Sequence, residues 1–498
     1  MNTEWRKLLS GTGIRGTDEE LTDEFAAKFG YAYALWLAKR LGTTSDLLTV
    51  AVGRDTRTSG RRLEKALIKG LTAADCDVLD CGTCASPAVF MTLERAHKRA
   101  DGAVMITGGH CNSGMNGFKL GARDGAPDGD EITEMIDMAA QLRLPERLVS
   151  YERPMEPYYE YLAECAREFL QDDALKPLIG LHVIVDASNG AGGSYAAFLE
   201  ELGAETYGSI NLQPDGRYPA HAPDIAVPGA LAGLTQKVLD EEADLGIMFD
   251  ADCERAAIID GNGKVITGNR LIALLSAILL DAQPGATIVT DSVTSSGLTR
   301  FINEWGGVHY RFKRGNRNVI VEAARLVEEG IDCPLAIETS GHAAFRENYF
   351  LDDGMYLATR LICYAYDLKR SGKTLSMLID DLSEPVESTE IRLRIQSEDI
   401  KQAARDVIEV VLSNTLEDQG WRLATDSREG VRILFNLEGG VENAWFQLRM
   451  SVHDPAVMVL NAESDVEGGI KDMLGQLHGL LTTQECELEL EPLAEAVK

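Results

Sequence analysis

The stretch MITGGHCNSGMNGFKL, residues 105–120, decides how the rest of the chain is read. An apolar run of Ala103, Val104, Met105 and Ile106 feeds a turn carrying Thr107, Gly108, Gly109, His110 and Cys111, followed by Asn116, Gly117, Phe118 and Lys119. A strand-length apolar run that empties into a glycine-rich polar loop predicts a buried strand of an α/β unit, because ligands gather at the carboxyl ends of parallel strands. The loop holds a base, a cation and a permissive backbone.

Outward from this stretch the same rhythm recurs. On its amino-terminal side, residues 10–16 form a glycine-punctuated loop with one guanidinium, Arg15, ahead of a helical stretch at 23–41. A buried-type strand at 47–53 ends in Arg54-Asp-Thr-Arg57, and a helical period follows at 61–74. Arg15, Arg54 and Arg57 read either as solvated surface cations or as anion contacts at strand ends. Residues 1–150 thus make a first α/β unit.

On the carboxyl-terminal side, residues 151–275 make a second unit, in which a strand at 181–186 runs into a glycine loop at 187–193. That loop is out of register for a dinucleotide fingerprint and lacks a P-loop lysine, so close strand-to-helix packing explains its glycines. The apolar segment 243–249 delivers Asp250, Asp252 and Glu254, then Arg255. Three carboxylates at alternate positions after a buried strand suit one hard divalent cation, with an acidic turn as the bland alternative. Residues 276–385 make a third unit. There Arg311 to Arg317 packs four cations into seven residues, and Glu338, Ser340 and His342 alternate past a strand, placed either to bind sugar hydroxyls or to cap a helix. Residues 386–498 change character to an α+β domain, with strands expected at 390–395, 431–437, 444–450 and 456–461.

The composition sets bounds on function. A chain of 498 residues divides into several domains, and 45% hydrophobic with 26% charged residues describes a globular protein. A formal charge of −31 repels nucleic acid and anionic lipid. The first residues carry no long apolar segment, so the cytoplasm is the expected location. The longest apolar run, near 271–280, is too short to span a bilayer. Of nine cysteines, only Cys81 and Cys84 lie close in sequence, and they read as reduced thiols flanking a turn.

Taken in order, these loops resemble those of the α-D-phosphohexomutases, the phosphoglucomutases and phosphomannomutases. Residues 10–16 are similar to that family's GTSGxRG stretch, 107–119 to its phosphoserine loop TASHNPxxxNGxK, and 250–255 to its metal loop DGDxDR with Glu254 for the third Asp. Residues 314–317 resemble its short glycine loop, 338–342 its sugar loop GExSGH, and 449–455 its phosphate loop RPSGTEP. The resemblance implies three related α/β domains and a smaller α+β domain around a central cleft. It further implies transfer of phosphate between O1 and O6 of a hexose phosphate by a monomer or homodimer. Asp250, Asp252 and Glu254 would hold Mg²⁺, with hexose 1,6-bisphosphate as activator. Arg15 and Arg255 would balance phosphoryl charge, and His110 and Lys119 would handle the hydroxyl proton. Glu338 and Ser340 would grip the sugar, Arg449 with Ser451 would hold the non-transferring phosphate, and Arg317 and His342 would be further substrate-binding residues. The alignment places Gly109 where the family has its phosphorylated serine. It also puts Val452, His453 and Asp454 where the phosphate loop has Gly, Thr and Glu. Three readings stay open: a mutase carrying phosphate on Ser113, Thr107 or His110, a non-catalytic binder of sugar phosphate or a partner protein, and a metal-dependent sugar phosphatase.

Overall fold

The computed structural model describes residues 5–94, 100–144, 155–227, 229–417, 420–438, 440–452 and 454–498, so His453 lies outside the described residues. The chain forms two compact units. The first comprises residues 1–266, 340–343 and 351–377, and the second 267–339, 344–350 and 378–498.

The first unit holds two sheets. One has six strands, β1 (Leu9–Ser10), β2 (Gly13–Thr17), β3 (Thr49–Arg54), β4 (Asp77–Thr83), β5 (Gly102–Ile106) and β6 (Met115–Ala122), in the order β1-β2-β6-β5-β3-β4. β3 runs parallel to β4 and β5, while β6 is antiparallel to β5 and β2. The helix Asp23–Leu41 starts where the Thr22 hydroxyl accepts from Phe25 N and stops at Gly42 in the left-handed region, as capping chemistry dictates. Its Phe25 and Phe29 stack with Phe118 of β6 in the core. The second sheet orders β7 (Val183–Asp186), β8 (Leu245–Phe249), β9 (Ala256–Asp260) and β10 (Val265–Ile266) as β10-β9-β8-β7. β8 is fully buried and ends at Phe249, just before Asp250.

The helix Gly354–Arg370 packs with residues of the first unit. Tyr158 Oη donates to Asp353 Oδ1 at 2.6 Å, and Tyr195 Oη meets Thr359 Oγ1 at 2.8 Å, so the helix covers the second sheet's flank. The expected boundary at 275/276 falls inside the helix Gly268–Ala282, whose residues 271–280 are all buried, so no linker can run there.

The second unit holds β11 (Thr287–Thr290), β12 (Val308–Arg311), β13 (Leu335–Ile337) and β14 (Ala343–Phe345), ordered β12-β11-β13-β14 with β11 parallel to β12 and β13. It also holds an antiparallel sheet of β15 (Glu387–Arg394), β16 (Arg422–Leu423), β17 (Val431–Phe435), β18 (Ala444–Met450) and β19 (Val457–Ser464), ordered β15-β19-β18-β17-β16. The helices Ile400–Glu417 and Gly469–Thr483 share its core. Buried Arg432 joins the two sheets: its guanidinium lies 3.6 Å from the Trp445 ring centroid and donates to the carbonyls of Ser292 and Thr294.

Candidate active site

The loop after β5 is shaped by a side chain whose role the sequence leaves ambiguous. Arg57 is buried at 3% exposure and donates to four carbonyls: Gly109 at 2.6 Å, Cys111 at 2.7 Å, and Asn112 and Met115 at 2.8 Å each. Its Nε pairs with buried Asp55 at 3.0 Å. Arg57 is therefore the frame of the loop, and Arg54 is paired to Glu64 at 2.9 Å. The anion-contact reading of Arg57 is corrected, because its donors are taken up by protein acceptors. Thr107 Oγ1 donates to Asp55 Oδ2 and accepts from Gly109 N, both at 2.8 Å.

Arg15 and Lys119 reach the same place through strand register. Gly13 of β2 stands opposite Lys119 of β6, and Arg15 stands opposite Gly117. A Cβ on Gly117 would sit 2.1 Å from Ile14 O, so only glycine lets the strands approach this closely. Gly109 has φ +57°, and a Cβ built there would lie 3.7 Å from Arg15 Nη2 and 4.0 Å from Lys119 Nζ. A side chain at position 109 would thus meet two cations at ordinary contact distance. His110 follows it; burial and the nearby Arg255 push its imidazole down to about 3, so it is neutral at neutral pH.

The loop after β8 faces this one. Asp252 and Glu254 both accept from Lys119 Nζ, at 2.8 and 2.5 Å, and Asp252 also accepts from Ser86 Oγ at 2.8 Å. Burial opposes the Lys119 charge, but the two carboxylates hold it above its ordinary value. Burial and Asp252 push Glu254 up to about 8, although the Lys119 ammonium works against that rise. Asp250 places both oxygens on Arg255, accepting from its backbone N at 3.0 Å and its Nε at 2.9 Å, and Arg255 Nη1 lies 3.1 Å from Asp224. Arg255 Nη2 is a buried donor with no hydrogen-bond partner among the described residues. The glycines of residues 187–193 serve this loop through packing: a Cβ on Gly190 would lie 2.7 Å from Ala251 O, and one on Gly192 2.9 Å from Cys253 Sγ. Two of the three carboxylates suit a hard cation: Asp252 and Glu254 meet on one ammonium, and Asp252 Oδ1 is buried with no hydrogen-bond donor among the described residues, whereas Asp250 is turned to Arg255.

His342 joins the first unit's group, its Nδ1 lying 2.6 Å from Asp352 Oδ2 and 4.0 Å from Glu254 Oε2. Burial opposes its charge, but Asp352 raises it to about 9. Ser340 belongs to the same unit. Arg317, Glu338, Arg449 and Ser451 lie in the second unit. There Glu338 accepts from Gly315 N at 2.5 Å, Arg317 is in the first turn of the helix Asn316–Glu328, and Ser451 Oγ accepts from Asp454 N at 3.1 Å. Arg449 is buried, with Glu429 3.9 Å from its Nε; Glu429 also accepts from Ser292 Oγ and Arg314 N. Sequence reasoning passes over Asp55, Ser86, Asp224, Glu429 and Asp352 as site residues. Only Asp352 gives a signal, as the first acid of an Asp-Asp-Gly before a helix.

Phosphoglucomutase/phosphomannomutase alpha/beta/alpha domains I, II and III match residues 6–142, 156–263 and 267–386. A phosphoglucomutase/phosphomannomutase of Thermococcus kodakarensis is 30% identical over 466 residues, covering 93% of this chain and 95% of its own. The chain belongs to the phosphoglucomutase/phosphomannomutase family. Other members of this phosphohexomutase family are equally near. A phosphomannomutase/phosphoglucomutase of Pseudomonas aeruginosa is 31% identical over 87% of this chain and 88% of its own, and a phosphoglucosamine mutase of Brucella anthropi is 34% identical over 74% and 80%. The crystal structure of a family protein from Burkholderia thailandensis superposes with a TM-score of 0.78 at 28% identity, covering 96% of this chain and 98% of that one. No helix among the described residues is long and apolar enough to cross a membrane.

Proposed function

We propose that the protein interconverts hexose 1-phosphates and hexose 6-phosphates by phosphoryl transfer, with glucose and mannose phosphates, the sugars in its relatives' names, as substrates. The observation that carries this reading is the position of Gly109, where a side chain would meet Arg15 Nη2 and Lys119 Nζ at contact distance beside a neutral imidazole. Two fixed cations aimed where a phosphoryl group would stand provide preorganised charge neutralisation.

Mg²⁺ held by Asp250, Asp252 and Glu254 would supply Lewis-acid neutralisation of the transferring group. Arg15 and the open Nη2 of Arg255 bind phosphoryl oxygens. Thr107 is engaged by Asp55 and Gly109, so it carries no phosphate. His110 has a free electron pair at neutral pH and is the carrier: a ring nitrogen bonds to phosphorus, the bond to the sugar oxygen breaks, and Lys119 gives the departing oxygen a proton. The reverse step returns the phosphoryl group to the other hydroxyl. Glu338, Ser340 and His342 hold the sugar, and Arg317, Arg449 and Ser451 the second phosphate.

Incubation with ³²P-labelled glucose 1,6-bisphosphate tests the carrier. The expected result is label retained on the protein, lost in acid as a phosphoramidate is, and absent from His110→Ala. Acid-stable label in His110→Ala overturns it. A second reading rests on the room beside Gly109, which admits a water as nucleophile in place of a side chain. Stoichiometric release of inorganic phosphate without protein label would establish that hydrolysis and displace transfer.

A further inference from the structure

Two of the three nitrogens of the Arg255 guanidinium are already engaged: Nε lies 2.9 Å from Asp250 Oδ2, and Nη1 lies 3.1 Å from Asp224 Oδ1. Nη2 is left over, buried and without a hydrogen-bond partner among the described residues. We infer that Asp224 is a positioning residue that orients Nη2 for the substrate's phosphoryl group, and that residues 213–225 form a strap that fixes Asp224 by gripping three site segments at once. The inference rests on the reading of this site as one for hexose phosphates and names the group that gives Arg255 its orientation.

The argument starts from the shape of the guanidinium. It is a rigid planar fork, and a single acceptor on Nε leaves it free to pivot about that contact. A second carboxylate on another edge removes the pivot and leaves one nitrogen facing outward. Asp224 is itself held, because its Oδ1 also accepts from Ala226 N at 3.1 Å and so closes a turn on its own backbone. Burial works against the Arg255 charge, but Asp250 and Asp224 together hold it above its ordinary value. The result is a fixed cation with one open donor, the arrangement that neutralises a phosphoryl group without reorganisation.

The strap supplies the fixed points. At its start, Gln213 O accepts from Asn189 Nδ2 at 2.8 Å, and Asp215 N donates at 2.9 Å to Asn189 O, which Thr56 Oγ1 also meets at 3.0 Å. A Cβ on Gly216 would lie 2.5 Å from Arg57 Cα, so only glycine lets the strap lie this close to the residue that frames the Gly109 loop. The Arg57 guanidinium stands 5.2 Å from the Tyr218 ring centroid, within cation–π range. His221 Nε2 donates to Asp186 Oδ2 at 3.0 Å, and its Nδ1 lies 2.9 Å from Ala222 O, which pins the strap to the end of β7. At the far end, a Cβ on Gly341 would lie 2.7 Å from Ile225 Cδ1, so Ile225 is pressed against the segment that carries Ser340 and His342. Asp224 sits between the His221 pin and the Ile225 contact. It therefore holds its place when Arg255 is pulled by a ligand.

The test is a double-mutant cycle on binding. Glucose 1-phosphate is titrated calorimetrically into the full-length protein with chelator present, so that binding is read without turnover, and circular dichroism reports the fold. Asp224→Ser keeps an oxygen for Ala226 N but is too short to reach Arg255, and should weaken binding at least tenfold. Asp224→Asn, which leaves Oδ1 in place, should stay within threefold of wild type. In an Arg255→Lys background no guanidinium is left to orient, and Asp224→Ser should change binding by less than twofold. Equal losses in the two backgrounds, as a role in stability alone predicts, or wild-type affinity in folded Asp224→Ser, would overturn the inference. His221→Gln loosens the strap without touching Asp224 and decides the matter where Asp224→Ser does not fold: about threefold weaker binding is expected with Arg255 present and no change with Lys there, and unchanged binding in both overturns the strap. Wild type that binds glucose 1-phosphate but forms no 6-phosphate when Mg²⁺ is restored removes the proposed reaction and leaves the cycle to decide the positioning, whereas wild type that binds no glucose 1-phosphate overturns both.

Discussion

Replacing Arg57 by alanine removes the frame of the phosphoserine-type loop. Four carbonyls, those of Gly109, Cys111, Asn112 and Met115, lose their donor, and Asp55, at 0% exposure, loses its counter-ion. Breaking a buried pair by removing one partner costs about 3–5 kcal/mol. Unfolding entropy of ~2.1 cal/mol/K per residue over the roughly 300 residues of the first unit converts that loss to a fall in Tm of about 5–8 °C. The carbonyls sit at a surface loop and will find water, so the damage concentrates there. Differential scanning calorimetry with limited proteolysis should show the lowered transition together with new cleavage between residues 108 and 115. Arg57→Lys should recover little, because one ammonium cannot span four carbonyls and a carboxylate in the way a planar fork does. A Tm within about 1 °C of wild type and an uncut loop would falsify the framing role.

Other consequences are as open to measurement. The hydrogen bond that His221 Nε2 donates to Asp186, 3.0 Å away, together with the carboxylate charge raises His221 above its ordinary value. A raised folded-state value means the contribution is complete below about pH 6.5 and fades as pH climbs through the folded value. The Tm gap between wild type and His221→Gln should therefore be widest below about pH 6.5 and narrow as pH climbs through the raised folded-state value; a gap that widens with pH contradicts the pairing. Gly190→Ala forces a methyl to within 2.7 Å of Ala251 O and should cost about 1–3 kcal/mol while displacing the carboxylate loop, read as weakened Mg²⁺ affinity in calorimetric titration. Unchanged affinity would mean the loop yields elsewhere. In the second unit, Arg432→Ala leaves the Ser292 and Thr294 carbonyls without their buried donor and should lower urea resistance by about 2–4 kcal/mol, a loss that Arg432→Lys restores only in part.

Much of the architecture is legible in the sequence because local chemistry decides it. Thr22 and Gly42 bracket the helix Asp23–Leu41, and the apolar run ahead of Asp250 marks a buried strand whose end carries the acids. The helix Gly354–Arg370 shows the limit: its period and its Asp353 cap are local, but its packing partners, Tyr158 and Tyr195, lie more than 150 residues away. Arg57 shows the same limit at the site. A guanidinium at a strand end reads as solvated or anion-binding, and only the tertiary fold reveals that carbonyls from 52 to 58 residues onward take up its donors. Asp352 lies about a hundred residues from Glu254, and nothing in the spacing foretells their meeting. Gly109 is legible only through resemblance. Its φ of +57° shows that the backbone keeps a conformation glycine favours, and a serine there would carry about 1 kcal/mol of strain while reaching towards Arg15 and Lys119.

The most direct measurement follows glucose 1-phosphate and mannose 1-phosphate by ³¹P nuclear magnetic resonance with Mg²⁺ and a trace of hexose 1,6-bisphosphate, using wild type and Gly109→Ser side by side. The wild type should convert at least one sugar to its 6-phosphate, and Gly109→Ser should run at least about tenfold faster, equivalent to roughly 1.4 kcal/mol off the barrier, because its hydroxyl enters the space between Arg15 and Lys119. If neither protein forms any 6-phosphate, the proposal that this site moves phosphate between hexose hydroxyls is contradicted.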